Sequence, residues 1–362
     1  MGEPVGVGVV GLGAISGQYL ATLDAVSALR LVTVADLDPG RARAVAAERD
    51  GVRAGTVDEL LADPAVDVVL NLTPPAGHAE IALAAITAGK AVYNEKPLAA
   101  TVADGLEVLR AAELAGVRVG GAPDTVLGTG VQTARHAIDS GMIGEPTAAS
   151  ATFLCPGHER WHPNPDFYYT AGGGPLLDMG PYYVTTLVTL LGPVVSVVGR
   201  GSTARDTRTI GKGPRAGEQV PVQVLTHVAG ILTHASGALS TITMSFDATA
   251  TLAPPIEVHG LEGSLVVPDP NTFDGAVQHR KLDGGQWETL PVSAGYTTGG
   301  RGLGVAELMA GDGSGRASGT LALHVLDVME SVLSSADDGR PRQVATRAER
   351  PASVPLSPEP LA

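Results

Sequence analysis

The stretch VGVGVVGLGAISG, residues 5–17, constrains the fold more than any other part of the chain. An apolar run that fits a short strand leads into a glycine turn and then into a helix. Gly11 and Gly13 are the first two glycines of a G-x-G-x-x-G pattern, and Ser16 occupies the position of the third. Strand, glycine turn and helix start form the phosphate cradle of dinucleotide-binding folds. Gly11 permits the tight turn and Gly13 has no Cβ to keep a pyrophosphate away, while the helix beginning near Ala14 offers its N–H groups to the anion.

An acidic residue stands where such a fold places its ribose-binding carboxylate. The segment LVTVAD fits a second strand and ends at Asp36. In dinucleotide-binding folds this residue follows the glycine motif by about 20 residues. A carboxylate there accepts hydrogen bonds from the adenosine ribose hydroxyls and repels a 2′-phosphate. The two features predict NAD, and not NADP, as the cofactor; a glycine turn that binds no ligand is the alternative.

Length and composition limit the remaining possibilities. A chain of 362 residues, with 44% hydrophobic and 17% charged residues, predicts two domains with large buried cores. The net charge of −14 argues against nucleic acids and acidic membranes as partners. Cys155 is the only cysteine, which excludes an intrachain disulfide and favours a reducing compartment. Because the sequence shows neither a signal-peptide pattern nor an apolar stretch long enough to cross a bilayer, a cytoplasmic protein is expected.

Strand and helix patterns alternate through the first third of the chain. The apolar run at 66–72 is typical of a parallel strand that is buried on both faces. Thr56 and Glu59 have the spacing of a capping box at the start of a helix. The alternation predicts a doubly wound parallel sheet with right-handed crossovers. We place the end of this dinucleotide-binding domain at residue 121.

The sequence changes character beyond that point. Short segments with alternating apolar and polar residues predict an antiparallel sheet with one solvated face. A helix is predicted over residues 182–191, and residues 203–217, rich in Arg, Gly and Lys, are expected to form a mobile loop. The predicted division is therefore residues 1–121 for NAD binding and residues 122–362 for a second domain.

Four motifs, taken together with the glycine turn, carry a resemblance to a known family. They are AGKAVYNEKPLA (88–99), SGMIGEP (140–146), GGGPLLDMG (172–180) and SSADDGRP (334–341). In this combination the chain resembles the Gfo/Idh/MocA oxidoreductases. The resemblance implies a Rossmann domain followed by an α/β domain, here residues 122–362, that binds the substrate. It also implies that this domain has a large open, mainly antiparallel sheet, through which members usually form homo-oligomers. It also implies nicotinamide chemistry, mostly on sugars or cyclitols.

Two catalytic residues follow from the resemblance. Lys96 matches the family's active-site lysine and Asp178 matches its aspartate. A lysine at the carboxyl end of a sheet strand can stabilise the charge of a developing alkoxide. An exposed surface lysine is the alternative for Lys96, and a loop or helix-capping aspartate is the alternative for Asp178.

The chain departs from the family at the next catalytic position. The family's histidine, the hydride-transfer base, follows the aspartate by four residues, and Tyr182 stands there instead. An unperturbed tyrosine has a pKa of about 10, so it needs nearby cations to act as a base. Lys96 and the oxidised nicotinamide are the expected cations. A tyrosine that only forms a wall of the pocket is the alternative.

The predicted cofactor site combines the glycine turn with the ends of later strands. Its members are Gly11, Gly13, Ala14, Ile15, Ser16, Asp36, Thr73, Pro74, His78, Glu95 and Lys96. Asp124 is a candidate substrate contact, as is Tyr182. Family members often carry Asn and Arg near Asp124, so it either replaces a basic contact or caps a turn.

The segment HERWH matches the zinc-protease pattern H-E-x-x-H, which binds metal only on a helix. Pro163 biases His162 away from helical angles, so we predict no metal site. We interpret the segment as a substrate loop. Trp161 offers a face for sugar stacking, and His162, Asn164 and Tyr168 offer polar contacts. A surface loop without a ligand is the alternative.

Three functions are compatible with these features. The first is an NAD-dependent oxidoreductase that transfers a hydride at a ring carbon of a sugar or glycoside. The second is an NAD-recycling glycosidase or lyase, in which transient oxidation acidifies a neighbouring C–H, the aglycone is eliminated, water adds and the hydride returns. The third is an NAD-binding regulator without catalysis. The presence of both Lys96 and Asp178 argues against the third.

Overall fold

The structure, a computed structural model, describes residues 3–311 and 315–358. In the first part of the chain the elements are β1 (Val5–Val10), α1 (Ser16–Ala25), β2 (Leu29–Ala35), α2 (Pro39–Ala47), β3 (Arg53–Gly55), α3 (Val57–Ala62), β4 (Val68–Asn71), α4 (His78–Thr87), β5 (Ala91–Asn94), α5 (Val102–Ala115) and β6 (Val119–Gly121). The strands form a parallel sheet in the order β3-β2-β1-β4-β5-β6. This is the Rossmann order, and its strand sequence reverses between β1 and β4, where such sheets bind ligands.

Local sequence accounts for these elements. β4 and β5 are buried along their whole length, as central parallel strands covered on both faces must be. α3 begins with the predicted capping box, because Thr56 Oγ1 accepts from Glu59 N at 3.2 Å and Glu59 Oε2 accepts from Thr56 N at 2.8 Å. α5 ends at Gly116, whose φ of 66° provides a left-handed cap. The helices pack on the sheet through a continuous apolar core.

The later elements build a second sheet. They are α6 (Thr129–Asp139), β7 (Pro146–Leu154), α7 (Pro175–Leu191), β8 (Val194–Ser202), β9 (Thr207–Thr209), β10 (Gln219–Pro221), β11 (His227–His234), β12 (Leu239–Ser245), β13 (Ile256–Gly260), β14 (Gly263–Val267), β15 (Gln278–Lys281), β16 (Glu288–Thr289), α8 (Leu303–Ala310), α9 (Gly319–Asp338) and β17 (Arg342–Gln343). Nine strands pair in the order β16-β15-β14-β13-β7-β12-β11-β8-β17. β7 and β12 are parallel and their neighbours are antiparallel. The predicted large, mainly antiparallel sheet is confirmed.

Helices cover one face of this sheet. α7 packs on β7, β11 and β12. Val332 of α9 lies against Gly199 and Gly230, where a side chain on either glycine would meet it. Ser335 Oγ accepts a hydrogen bond from Gly199 N at 2.8 Å. The helices and the inward-facing strand residues therefore form one core, and the opposite face of the sheet carries the half-exposed side chains.

The chain divides into two compact units. The first contains the described residues within 1–132, 293–326 and 351–362, and the second contains 133–292 and 327–350. The predicted boundary after residue 121 coincides with the end of β6. The first unit, however, also includes described residues within 122–132, 293–326 and 351–362. One reason is that Gly121 N at the end of β6 donates to Ala317 O at 3.0 Å.

Two sequence predictions differ from the structure. α7 begins at Pro175 and not at residue 182, so Asp178 lies within its first turns. Proline is compatible with the first helical position, because its missing N–H has no partner there in any case. The predicted mobile loop at 203–217 instead contains β9, which pairs with β10 in a two-stranded sheet. Among the described residues, no helix combines the length and apolar character needed to cross a membrane.

Candidate functional site

The glycine turn fits a bound pyrophosphate. Gly11 has a φ of 93°, and a Cβ on it would meet the backbone of Leu72. A Cβ on Gly13 would point into open space, so the protein's own packing does not require glycine there. A close approach of a phosphate to the backbone does require it. α1 begins at Ser16 behind Ile15, and no side chain in the described residues caps that end, which leaves the helix N-terminus available to an anion.

Asp36 is tied to this turn. Its Oδ2 accepts a hydrogen bond from Leu12 N at 2.7 Å, and its Oδ1 accepts one from Asp38 N at 2.8 Å. Arg41 Nη1 lies 3.7 Å from Oδ1. The carboxylate is thus held beside the glycine turn at the carboxyl end of β2, where the predicted ribose contact requires it.

His78 is a buried residue that contacts two of the strand ends of the predicted cofactor site. Both ring nitrogens face carbonyl oxygens, Nδ1 that of Pro97 at 2.6 Å and Nε2 that of Thr73 at 2.8 Å. The side chain has no exposed surface, and burial lowers its pKa. The predicted direct contact with the cofactor is therefore incompatible with this conformation, in which His78 joins the strand ends that carry Thr73 and Pro97. Thr73 is half-buried and Pro74 is exposed.

Glu95 joins the cofactor helix to the strand that carries Lys96. Its Oε1 accepts from the Tyr19 hydroxyl of α1 at 2.8 Å, and its Oε2 accepts from Lys96 N at 2.5 Å. Burial, followed by the charge of Glu95, raises the pKa of Tyr19 well above its usual value, so the phenol stays protonated and donates. Lys96 is half-buried and precedes a cis peptide bond to Pro97. Tyr19 was not predicted, because its position in the sequence fits the apolar face of α1.

Asp124 has no exposed surface. Its Oδ2 accepts hydrogen bonds from Gly302 N at 2.8 Å and Gly304 N at 2.9 Å, at the start of α8. Burial raises the pKa of this carboxyl group, and the two N–H donors oppose part of that shift. The predicted substrate contact at Asp124 does not fit this buried position. The side chain instead caps the turn at the start of α8, which agrees with the alternative that Asp124 caps a turn.

Asp178 and Tyr182 lie one turn apart on the same side of α7. Asp178 N donates to Gly174 O at 3.1 Å, and the carboxylate is half-buried. Tyr182 and Tyr183 are both buried, with 4% and 2% of their surface exposed. Burial raises the pKa of Tyr183, whose ring packs against Phe153. The structure thus brings the predicted aspartate and tyrosine together.

His158 contacts Asp178 and was not predicted as a site residue. Its Nε2 lies 2.9 Å from Asp178 Oδ2, and Trp161 Nε1 donates to its Nδ1 at 3.1 Å. The residue opens a single 3₁₀ turn, His158–Arg160, so the H-E-x-x-H segment is not an α-helix. No group of three or more metal-ligating side chains occurs in the part of the chain that the structure describes. The partial signal was the H-E-x-x-H motif itself, which marked the histidine.

The predicted substrate loop forms an aromatic cluster. Trp161 is 52% exposed, and the rings of His162 and Tyr168 lie 5.6 Å apart between centroids. His162 Nδ1 accepts from Asn164 N at 3.1 Å, and burial lowers the pKa of His162. Asn164 is exposed and Tyr168 is half-buried. These four residues are close together in the loop, and their contact with a substrate stays a prediction.

The β9–β10 hairpin anchors this loop. Arg208 of β9 has 1% of its side chain exposed, and it pairs with Glu159 at 3.3 Å and also with Asp247. Tyr169 donates its hydroxyl to Glu159. At the surface, Arg215 makes a two-point contact with Asp166, at 2.6 and 3.0 Å. A buried ion pair therefore holds the turn that carries His158.

Replacing Arg208 by Met should lower the free energy of unfolding by about 3–5 kcal/mol, because it leaves two carboxylates, one of them buried, without their cation. Differential scanning calorimetry measures the change as a fall in Tm. Arg215→Met removes an exposed ion pair from the same hairpin and should shift the transition little. Equal Tm values for the two variants would contradict the structural role of Arg208.

Two family models match the chain. One, described as the oxidoreductase family with an NAD-binding Rossmann fold, matches residues 5–121, and the GFO/IDH/MocA C-terminal domain matches residues 131–266. A 1,5-anhydro-D-fructose reductase of Ensifer adhaerens is 31% identical over 266 residues, covering 72% of this chain and 74% of that protein. The chain belongs to the Gfo/Idh/MocA oxidoreductase family.

Other members of the family agree with this assignment. An inositol 2-dehydrogenase of Saccharopolyspora erythraea is 41% identical over 153 residues, covering 39% of this chain and 43% of that protein. The structure of an NAD binding oxidoreductase from Klebsiella pneumoniae superposes with a TM-score of 0.81 and 26% identity, over 95% of this chain and 100% of that one. As a Gfo/Idh/MocA protein the chain carries an NAD-binding Rossmann domain, so the predicted family, fold and cofactor are confirmed. The roles of individual site residues stay predictions.

Proposed function

We propose that this protein transfers a hydride between NAD and a ring carbon of a sugar or glycoside. The observation that carries the proposal is the shared edge of the parallel sheet. β1, β4 and β5 are neighbours, and their carboxyl ends lead directly to the glycine turn, to Thr73 and to Glu95-Lys96. A cationic side chain follows the strand next to the cofactor cradle, where open α/β sheets bind their ligands. A sugar substrate is supported by the reductase and inositol dehydrogenase relatives.

The proposed mechanism assigns one task to each side chain. NAD, when bound, supplies the hydride acceptor. Lys96 donates a hydrogen bond to the reacting hydroxyl and stabilises the alkoxide as it forms. Tyr182 acts as the tyrosinate and takes the hydroxyl proton to become the neutral phenol. Asp178 orients the substrate by accepting from a hydroxyl group. Both α7 residues are buried or half-buried, so their hydrogen bonds are stronger than in water.

A redox-neutral glycosidase is the second candidate, and Tyr182 favours it. A tyrosinate can remove the proton from the carbon beside a transient keto group, after which the aglycone leaves. The experiment that separates the candidates incubates the pure protein with NAD and a panel of sugars and glycosides. NADH absorbance without aglycone release supports the oxidoreductase, and aglycone release without net NADH supports the glycosidase. Neither signal, with NAD bound, would overturn both.

Asp36→Ser should weaken NAD binding about tenfold or more. It should also reduce the difference between the Kd values for NAD and NADP. The substitution deletes a charge-assisted acceptor for the ribose hydroxyls and the charge that repels a 2′-phosphate. Fluorescence titration with both cofactors measures the two Kd values. Asp38→Ser is the matched control, since Asp38 accepts from Gly40 N at 2.8 Å as the cap of α2 and serine can replace it there. If NADP binds the unaltered protein as tightly as NAD, the assignment of Asp36 is wrong.

We also propose that the protein forms a homo-oligomer through the uncovered face of the nine-stranded sheet. That face carries Val198, Ile231 and Leu239, which are 37%, 48% and 49% exposed. Val198 pairs in register with Ile231, and Ile231 with Thr241, so apolar and small polar side chains are contiguous there. A partly apolar surface of this kind is more stable when a second copy of the chain covers it than when it is exposed to water. The cytoplasmic location stays a prediction.

A further inference from the structure

The loop after β7 builds a hydrogen-bonded line that ends at Asp178. Trp161 Nε1 lies 3.1 Å from His158 Nδ1, and His158 Nε2 lies 2.9 Å from Asp178 Oδ2. The three side chains belong to the same compact unit. The line therefore joins the exposed indole, the predicted sugar-stacking surface, to a predicted catalytic carboxylate.

The chemistry of the indole decides the tautomer of the histidine. An indole N–H can only donate, so Nδ1 of His158 must accept. The ring hydrogen then resides on Nε2 and is donated to the carboxylate of Asp178. An imidazolium would place a second N–H against the indole N–H. Trp161 thus favours the neutral ring with its hydrogen on the nitrogen that faces Asp178.

Packing and backbone contacts hold the ring in this orientation. The ring centroids of Tyr168 and Phe246 lie 4.4 and 4.6 Å from that of His158. His162 N donates to His158 O at 2.8 Å, and Gly211 N donates to Glu159 O at 2.7 Å. The side chain of Glu159 is buried against Arg208, as described above. The imidazole is therefore a rigid donor.

We propose that His158 is a positioning residue that fixes the carboxylate of Asp178, and that Trp161 fixes the tautomer in which His158 does so. The inference deepens the proposed function and rests on it for the role of Asp178. A carboxylate that accepts a charge-assisted bond from a rigid N–H donor is restricted in rotation. A substrate ring stacked on Trp161 would then meet a carboxylate whose orientation depends on the same indole.

Two substitutions at His158 test the positioning role. His158→Leu should lower kcat about 10²-fold with little change in KM, since a misplaced orienting group leaves the substrate bound but out of line for hydride transfer. His158→Gln keeps an N–H donor near the position of Nε2 and should restore kcat to within about tenfold of the unaltered protein. If the Gln variant is folded and as inactive as the Leu variant, the imidazole itself exchanges a proton, and the positioning role is wrong. Full activity of the Leu variant would also overturn it.

The tautomer of His158 is tested by a measurement that does not require turnover of a substrate. In protein labelled with ¹⁵N-histidine, long-range ¹H–¹⁵N spectra distinguish the two neutral tautomers and the imidazolium. The chain has nine histidines, and the spectrum of His158→Gln identifies the signals that belong to this one. We expect the Nε2–H form, a mixture of forms in Trp161→Phe, and no change in the control Trp287→Phe. An Nδ1–H form or an imidazolium at neutral pH in the unaltered protein would overturn the inference. If no sugar is turned over, the proposed function fails, and this measurement still decides the inference.

Discussion

Lys96→Met is expected to lower kcat by about 10²–10³-fold and to leave the Kd for NAD within about threefold. The substitution keeps an unbranched apolar stem of similar length and removes the ammonium group, so the alkoxide loses its charge stabilisation. The backbone of Lys96 stays in place, because its N–H donates to Glu95 Oε2 and that carboxylate is held by Tyr19. Steady-state kinetics on the best sugar of the panel and NAD titration measure the two quantities.

Lys90→Met is the matched control. Lys90 Nζ donates to the carbonyl oxygens of Asp63 and Val66 at 2.8 and 2.7 Å, which is a structural role in the same parallel sheet. Its loss should lower Tm and leave kcat of the folded protein nearly unchanged. A Lys96→Met variant with unaltered kcat would show that this lysine is structural too, and the site would have to be placed elsewhere.

Tyr182→Phe is expected to lower kcat by about 10²–10⁴-fold, the range that general bases contribute. The ring and its packing in α7 remain, and the hydroxyl that takes the proton is lost. Tyr183→Phe removes a hydroxyl from the next residue of the same helix, which is equally buried. That control should keep its activity and serve as the reference for any effect on Tm.

The fate of the substrate proton distinguishes the two enzymatic candidates. In deuterated water, a glycosidase cycle should place deuterium at the carbon beside the transiently oxidised one. An oxidoreductase should leave that carbon unlabelled and accumulate NADH. Full activity of Tyr182→Phe would show that Tyr182 is a wall of the pocket. The base would then be sought in the aromatic loop, with His162 as the first candidate.

The dinucleotide-binding part of the chain could be predicted because its signals are local. β4, Val68–Asn71, lies within the apolar run at 66–72 that predicts a buried parallel strand. The capping box at Thr56 involves residues three positions apart, and the φ of 93° at Gly11 is a property of one residue. Such features depend on backbone sterics and hydrogen bonds between near neighbours, which a sequence specifies directly.

The second part was harder to predict because its local signals compete with packing. The glycines and prolines around Asp178 are typical of a loop, but Pro175 fits the first position of α7 and Pro181 is accommodated within it. Residues 203–217 have a loop composition, but the burial of Arg208 between two carboxylates stabilises a hairpin there. In both places tertiary contacts outweigh local preference.

The sequence by itself determined the family, the cofactor and the candidate residues Lys96, Asp178 and Tyr182, because their motifs are contiguous. Only the tertiary structure decided which polar side chains meet. Asp178 bonds to His158, 20 residues away, and Asp124 is buried against Gly302, 178 residues away. A motif specifies which hydrogen-bond donors and acceptors a chain contains. Each donor or acceptor that becomes buried needs a hydrogen-bond partner. That partner is the group that the packing of distant elements places within hydrogen-bonding distance.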